Sequence, residues 1–158
     1  MKERWHFVPI VLAITSNTCT AGWSDVTSIY HCDNCGNILS WTQATFTYVA
    51  IATTTRISFA IREDVGYFAV DDISVKNSGD TELLTNGGFE TGSKTNWFYC
   101  NPNGASASGV ITSSASNRRT SYSPHSGTYF YWDGAVGVAD YLSQTFSTII
   151  GQTYTVTY

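Results

Sequence analysis

The chain has 158 residues, of which 42% are hydrophobic and 15% aromatic, enough apolar surface for one folded domain of ordinary size. Charged residues make up only 13%, and the formal net charge is −4. With so little charge and no cluster of lysines and arginines, we expect neither nucleic acid nor an anionic membrane as a partner. No apolar run approaches the roughly 18 residues of a membrane span. The many Ser, Thr, Gly, Asn and aromatic residues are typical of an extracellular β-protein.

The first 21 residues allow two interpretations. A weakly positive start is followed by a short apolar run from Phe7 to Ile14 and by a small residue suited to cleavage, Ala21, which is typical of a signal peptide. The run is short and contains Pro9, and cleavage would remove Cys19, which favours an internal strand instead. In that alternative, Met1 lies inside a longer tandem protein. The sequence leaves both alternatives open.

Short runs of β-branched and aromatic residues alternate with turn-forming residues along the whole chain, and no helical periodicity extends beyond two turns. In the run from Arg56 to Ile61, apolar residues alternate with others, so we expect one side of that strand to be buried. Many short strands with frequent turns predict an all-β sandwich or barrel. The predicted strands are Asp25–Tyr30, Ile38–Tyr48, Arg56–Ile61, Tyr67–Val75, Leu83–Phe89, Asn96–Cys100, Ser108–Thr112, Gly127–Trp132, Ala139–Phe146 and Thr153–Tyr158.

An acidic residue interrupts the apolar side of the strand predicted from Tyr67 to Val75. Strand alternation places Asp71 on the same side as Ile73 and Val75. An ionised carboxylate among apolar side chains is paired, hydrogen-bonded or bound to a metal. A polar stretch follows, and a second apolar run then ends on another acid, Glu90.

Two segments around this point carry a resemblance to a known family. VDDISV (residues 70–75) and LLTNGGFETGSKTNW (residues 83–97) resemble the last and first strands of the jelly-roll carbohydrate-binding modules found beside cellulases and xylanases, which belong to the galactose-binding-like sandwiches. The resemblance covers nearly the whole chain, with the pieces in inverted order. Residues 1–76 resemble the second half of one module, residues 77–82 a linker, and residues 83–158 the first half of the next. The resemblance implies that the two halves close as one jelly-roll sandwich, a circular permutant.

The resemblance also implies a structural calcium ion, which in these modules is shared by the first and last strands. Carried over residue by residue, Asp71 and Glu90 match the acidic ligands. A backbone carbonyl near Ser126 or Gly127, in the turn SPHSGTY (residues 123–129), resembles a further ligand. Calcium binds six to eight such oxygens. The alternative is that Glu90 caps a turn and Asp71 accepts a backbone amide.

Four cysteines, Cys19, Cys32, Cys35 and Cys100, favour two disulfides in a chain of this composition. The C-x-x-C pair beside His31 is only half of a zinc site. Because a Cys32–Cys35 bond would close a very tight loop, we expect Cys19 to pair with one of these two cysteines and Cys100 with the other. At least one bond would then join residues 1–76 to residues 83–158.

No catalytic motif is present: the sequence has no G-x-S-x-G, no H-E-x-x-H and no phosphate-binding glycine loop. Acid pairs occur, such as Asp133 with Asp140, but nothing in the sequence brings them to the two sides of one cleft, as glycoside hydrolysis requires. We therefore expect a protein without enzymatic activity.

Exposed aromatic rings are the usual platform for a sugar. The densest group is YFYWDG, in which Tyr131 or Trp132 would stack on the sugar while Asp133 accepts bonds from its hydroxyls, with Tyr99 and Tyr141 as further candidates. The alternative is a core strand that ends in an Asp-Gly turn. We therefore predict an extracellular, secreted or cell-surface module that binds a carbohydrate or a glycosylated protein. The alternative is a structural or adhesive repeat of a larger surface protein, with Ser- and Thr-lined faces and every Trp buried.

Overall fold

The structure, a computed structural model, describes residues 5–12, 19, 26–33, 40–64, 66–116 and 121–158. These residues form strands and turns without a helix, so the predicted all-β fold is confirmed. The strands are β1 (Trp5–Leu12), β2 (Val26–Ser28), β3 (Cys32–Asp33), β4 (Thr45–Val49), β5 (Thr54–Glu63), β6 (Phe68–Val70), β7 (Ser74–Lys76), β8 (Phe98–Cys100), β9 (Val110–Thr112), β10 (Ala115–Ser116), β11 (Ser121–Tyr122), β12 (Phe130–Asp133), β13 (Asp140–Ser147) and β14 (Thr153–Thr157).

Three antiparallel sheets surround the core. The largest has the order β2-β1-β5-β13-β8, with β3 also paired to β1, and the other two have the orders β6-β12-β9 and β4-β14-β7. A short β10-β11 pair lies apart from them. The arrangement is a β-sandwich, as predicted.

Each of the three sheets combines strands from both segments of the chain. The longest such pairing joins β5 to β13 over eight residue pairs, from Ile61 opposite Asp140 to Thr54 opposite Ser147. In the same way β12 pairs with β6, and β14 lies between β4 and β7. Residues 5–12 also join the large sheet, since β1 pairs with β5 along its whole length.

Aromatic rings connect the layers of the core. Phe59 of β5 lies 5.3 Å from the ring of Tyr158 and 6.3 Å from that of Trp97, measured between ring centroids. Phe89 in turn contacts Trp97 and Tyr131 of β12. Of these five rings, the four other than Tyr158 are buried. Burying each of them contributes roughly 1.5–3 kcal/mol or more.

Strand β5 is buried on both sides, which differs from the one-sided burial that its sequence predicts. Ile57, Phe59 and Ile61 face the core, but Arg56 and Ser58 on the opposite side are buried as well. The register places Cys100 on this second side, opposite Tyr141 of β13. Cys100 is buried too.

The strand predicted from Tyr67 to Val75 is two strands in two different sheets. Val70 of β6 pairs with Tyr131, whereas Val75 of β7 pairs with Val156. Between them, Asp72 has a backbone φ of +50°, a left-handed conformation that ends the extended run. The chain therefore crosses between sheets at Asp71 and Asp72.

The prediction of a strand from Leu83 to Phe89 is wrong. After a single bridge between Lys76 and Glu82, which makes the linker a hairpin, the chain continues as turns. The Glu82 carboxylate accepts the backbone N–H groups of Leu83 and Leu84, and beyond the Leu83 N–H, which also donates to the carbonyl of Val75, no backbone ladder forms in this stretch. Asn86 and Phe89 have positive φ values, which a strand does not tolerate.

A disulfide joins Cys19 to Cys100, 81 positions apart in sequence. The predicted covalent bond between the two segments is confirmed. The predicted pairing of Cys19 with Cys32 or Cys35 is wrong, because Cys100 on the buried second side of the large sheet takes Cys19 as its partner. The side chain of Cys32 and all of Cys35 lie outside the described residues.

We predict that the Cys19→Ser/Cys100→Ser double variant loses about 2–4 kcal/mol of unfolding free energy, since the bond closes a long loop and restricts the unfolded chain. Denaturant unfolding of the oxidised wild type and the variant measures the difference. Mass spectrometry of unreduced peptides that finds Cys100 as a free thiol would contradict the pairing.

Candidate functional site

Asp71 lies at the crossing between β6 and β7, with its carboxylate turned toward residues 123–129. Its Oδ2 accepts the backbone N–H groups of His125, at 2.9 Å, and Ser126, at 3.3 Å, and its Oδ1 accepts the N–H of Asp72 at 2.8 Å. The side chain is 3% exposed. Burial, followed by the charge of Asp72, raises the pKa of Asp71, while the three amide bonds act in the opposite direction.

Asp72 contacts the same turn through side chains rather than through the backbone. Its Oδ2 lies 2.7 Å from Nδ1 of His125, and its Oδ1 accepts the hydroxyl of Ser126 at 2.8 Å. Both carboxylates therefore hold residues 125–126. Strand alternation alone would have separated them, but the left-handed backbone at Asp72 brings them together.

Glu90 holds the other end of this turn. Its carboxylate accepts the N–H groups of Thr128 and Tyr129, each at 3.0 Å. Gly127 lies directly against it: a Cβ added there would be 2.4 Å from the carboxylate, at a backbone φ of +59°. Only glycine fits both the conformation and the space.

The four residues predicted to bind calcium thus meet at one turn. Gly88 lies between the acids, since a Cβ built on it would be 3.9 Å from both Oδ1 of Asp71 and Cγ of Glu90. Carboxylate oxygens are the ligands that calcium prefers, but here they accept backbone N–H groups, as the alternative interpretation expects. The described residues contain no group of three or more His, Cys, Asp or Glu side chains arranged to hold a metal ion. Calcium stays a prediction.

We predict that Asp71→Ala lowers the unfolding free energy by about 1–3 kcal/mol, because it removes a buried carboxylate that accepts three backbone N–H groups. Asp72→Asn, which keeps a residue that tolerates the left-handed backbone and alters only contacts to exposed side chains, is the control and should cost clearly less. Chemical denaturation of the two variants at one pH measures the difference. Equal losses of unfolding free energy would contradict a larger contribution from the backbone N–H groups that Asp71 accepts.

The calcium prediction has its own measurement. If an ion binds between Asp71 and Glu90 in the folded chain alone, mass action raises the melting temperature, which then falls in chelator and returns when calcium is added. Asp71→Ala should remove this response. A melting temperature that is the same in chelator and in calcium would contradict calcium binding and leave hydrogen bonds as what holds the turn.

Three of the five predicted ligand-binding residues point into the protein, at a cluster that includes Asp140. The hydroxyl of Tyr131 donates to Oδ2 of Asp133 at 2.7 Å, and that of Tyr99 donates to Oδ2 of Asp140 at 2.7 Å. Tyr131 is 0% exposed and Asp133 1% exposed, so neither has a surface to offer a ligand. Gly109 makes room for them, since a Cβ there would be 1.8 Å from the Tyr131 hydroxyl oxygen.

Lys94 adds a positive charge to this inner cluster. Its Nζ lies 4.0 Å from the centre of the Tyr99 ring and 6.0 Å from that of Tyr131. Burial lowers the pKa of Lys94, while the charges of Asp133 and Asp140 act in the opposite direction. Burial first, and then the bond to Asp140, raises the pKa of Tyr99.

Trp132 points the other way from Tyr131 and Asp133, to the outer side of the β6-β12-β9 sheet. Its ring stacks on that of Tyr67 with centroids 3.9 Å apart, and Tyr122 lies 6.3 Å away. Two residues along β12 on the same side, Phe130 contacts Trp41 at 6.1 Å. We call these five rings the aromatic face: Trp41, Tyr67, Tyr122, Phe130 and Trp132.

The rings of the aromatic face differ in exposure. Trp41 is 38% exposed, and its indole N–H donates to the backbone of Ser123, which fixes the ring in place. Tyr67, Tyr122 and Trp132 are half-buried, and Phe130 is buried beneath them. Tyr141, the remaining predicted residue, is half-buried on the second side of the large sheet, away from this group.

Sequence reasoning missed Trp41 and Tyr67 as site residues. They lie far apart in the chain, and only the pairing of β12 with β6, together with the fold of residues 121–126, brings them beside Trp132. Lys94 was missed as well, since a lone lysine in a polar loop carries no pattern. For Trp41 a usable signal was present, because a tryptophan next to Ser, Thr and Gln is a poor fit to a core strand.

An open groove of about 510 Å³ lies elsewhere, lined by Thr27, Ser28, Ile29, Thr45, Phe46 and Thr47. It contains none of the predicted site residues and no charged side chain among those that line it.

Neither family models nor curated proteins nor solved structures yield a match to this chain. Within the described part of the chain, no helix is long and apolar enough to cross a membrane.

Proposed function

We propose that the chain is a non-catalytic, extracellular module of jelly-roll type that binds a carbohydrate or a glycosylated protein through the aromatic face. The observation that carries the proposal is the group of partly exposed rings around Trp132, with Trp41 at 38% exposure. Flat aromatic rings offer the surface on which the C–H groups of a sugar pack. The buried Asp133 and Tyr131 take no direct part.

The chemistry around the rings suits an uncharged, hydroxyl-rich ligand. The outer side of the sheet also carries Val110, opposite Trp132, and Thr112, opposite Phe130, and neither is charged. Beside Trp41 lie the Ser123 carbonyl, which accepts its indole N–H, and the ring of His125, 5.8 Å away between centroids, so polar groups capable of hydrogen bonding flank the ring. The Cys19–Cys100 bond agrees with an oxidising, extracellular setting, where disulfides persist.

A structural or adhesive repeat is the second candidate, and one observation favours it. The outer side of the β4-β14-β7 sheet is lined by exposed threonines, namely Thr45, Thr47, Thr153 and Thr155. Such a repeat would also have its tryptophans buried. The exposure of Trp41 is the reason to prefer the binding module.

We predict that the wild type binds one or more neutral oligosaccharides with a dissociation constant between about 1 mM and 1 μM, the range expected for a few rings and hydrogen bonds, or roughly 4–8 kcal/mol. Trp132→Ala and Trp41→Ala should each weaken binding about tenfold through loss of ring contact. A glycan array identifies the ligand, and calorimetric titration measures its affinity.

Two controls accompany these variants. Trp132→Phe keeps an aromatic ring and should retain most of the affinity, whereas Ile149→Ala removes an exposed apolar side chain outside the aromatic face and should change nothing. A folded wild type that binds no glycan on the array would favour the structural-repeat alternative. Binding that survives both alanine variants unchanged would place the site elsewhere on the protein.

A further inference from the structure

Two buried carboxyl groups from different sheets meet inside the sandwich. Asp133 ends β12 and Asp140 begins β13, and they are 1% and 0% exposed. They belong to one cluster, since Tyr131 donates to Asp133, Tyr99 donates to Asp140, and Nζ of Lys94 lies 4.0 Å from the Tyr99 ring and 6.0 Å from the Tyr131 ring. Two ionised carboxylates in one buried cluster repel each other, and like charges in one buried site push one pKa upward.

The hydrogen bonds around the pair leave one oxygen without a donor. Asp133 accepts the N–H of Ala135 on Oδ1, at 2.9 Å, and the hydroxyl of Tyr131 on Oδ2. Asp140 accepts the hydroxyl of Tyr99 on Oδ2. Oδ1 of Asp140 is buried and has no partner among the described residues. A buried acceptor without a donor costs free energy and calls for an explanation.

We propose that Asp133 and Asp140 share one proton, and that this proton makes the pair a pH-sensitive lock between β12 and β13. Protonated Asp133 donates the hydrogen bond that Oδ1 of Asp140 lacks. The bond joins the β6-β12-β9 sheet to the large sheet. When the proton leaves, the bond is lost and two negative charges face each other. This inference does not depend on the proposed carbohydrate binding.

The charged and titratable groups around the pair agree with a single shared proton. Tyr131 from β12 and Tyr99 from β8 donate to the carboxyl groups and stay neutral. Lys94, which precedes β8, is a cation whose charge acts on both acids. From β5, the buried acid Glu63 lies on the same side of the strand as Ile61, which pairs with Asp140. With one proton the pair carries a charge of −1 opposite Lys94, and without it the pair carries −2.

The pH window follows from Asp133. Burial first, and then the hydrogen bond and charge of Asp140, raises the pKa of Asp133 from 3.8 to about 7. The folded state therefore holds a proton that the unfolded chain releases. Its contribution to stability is complete below the unfolded pKa near 3.8 and is lost as the pH rises through about 7.

The experiment measures denaturant unfolding at half-unit steps between pH 5 and pH 8 for the wild type, Asp133→Asn and Asp140→Asn, with Asp80→Asn as the control. Asp80 is exposed and, within the described part of the chain, forms its ion pair with Lys76. Between pH 5 and pH 7 we expect the unfolding constant of the wild type to rise by about tenfold per pH unit more than that of Asp133→Asn. Asp140→Asn should lose the same dependence, and Asp80→Asn should keep it.

Equal pH dependence in the wild type and both carboxamide variants would overturn the lock. If the variants do not fold, carbon NMR of the wild type labelled at aspartate carboxyl groups decides the question. One buried carboxyl that titrates near pH 7 supports the shared proton, and two carboxyls already ionised at pH 5 overturn it.

Discussion

The pairing of β5 with β13 is the interaction on which the rest of the structure depends. Eight consecutive residue pairs join a strand from residues 1–76 to one from residues 83–158. Because β5 also pairs with β1, and β13 with β8, this ladder forms the centre of the large sheet. This ladder positions the core, because it carries Phe59, which contacts other core rings, and Asp140 of the inner carboxyl pair.

In a chain with so few charges, the acids act mainly as hydrogen-bond acceptors for the backbone. Asp71 and Glu90 hold one turn from its two ends by accepting backbone N–H groups, which turn residues cannot give to a strand ladder. Asp133 does the same for Ala135 and accepts the Tyr131 hydroxyl as well. A carboxylate whose oxygens are filled in this way can be buried at a tolerable cost. Asp140 departs from this pattern, because its Oδ1 is buried without a partner among the described residues, and the proposed shared proton would supply one.

The aromatic residues show how far sequence patterns reach. The sequence identified YFYWDG as the densest aromatic group, but strand alternation could not say which side faces outward. The structure turns Tyr131 and Asp133 inward and Trp132 outward, because Tyr131 fits against Phe89 and Gly109. Trp41, Tyr67 and Tyr122 join Trp132 from three other parts of the chain. No local pattern contains such a group, since it exists only once the strands have paired.

The sequence by itself determined the all-β class, most of the strands, a disulfide between the two segments and the importance of Asp71 and Glu90. These depend on local properties: β-branched and aromatic runs, turn residues, and acids among apolar neighbours. Only the tertiary structure decided that Tyr67–Val75 is two strands, that Leu83–Phe89 is turns, and that Cys19 pairs with Cys100. It also brought Asp133 to Asp140, which lie on strands of different sheets. These features depend on contacts between residues far apart in the chain, which hydrophobic periodicity and spacing do not encode.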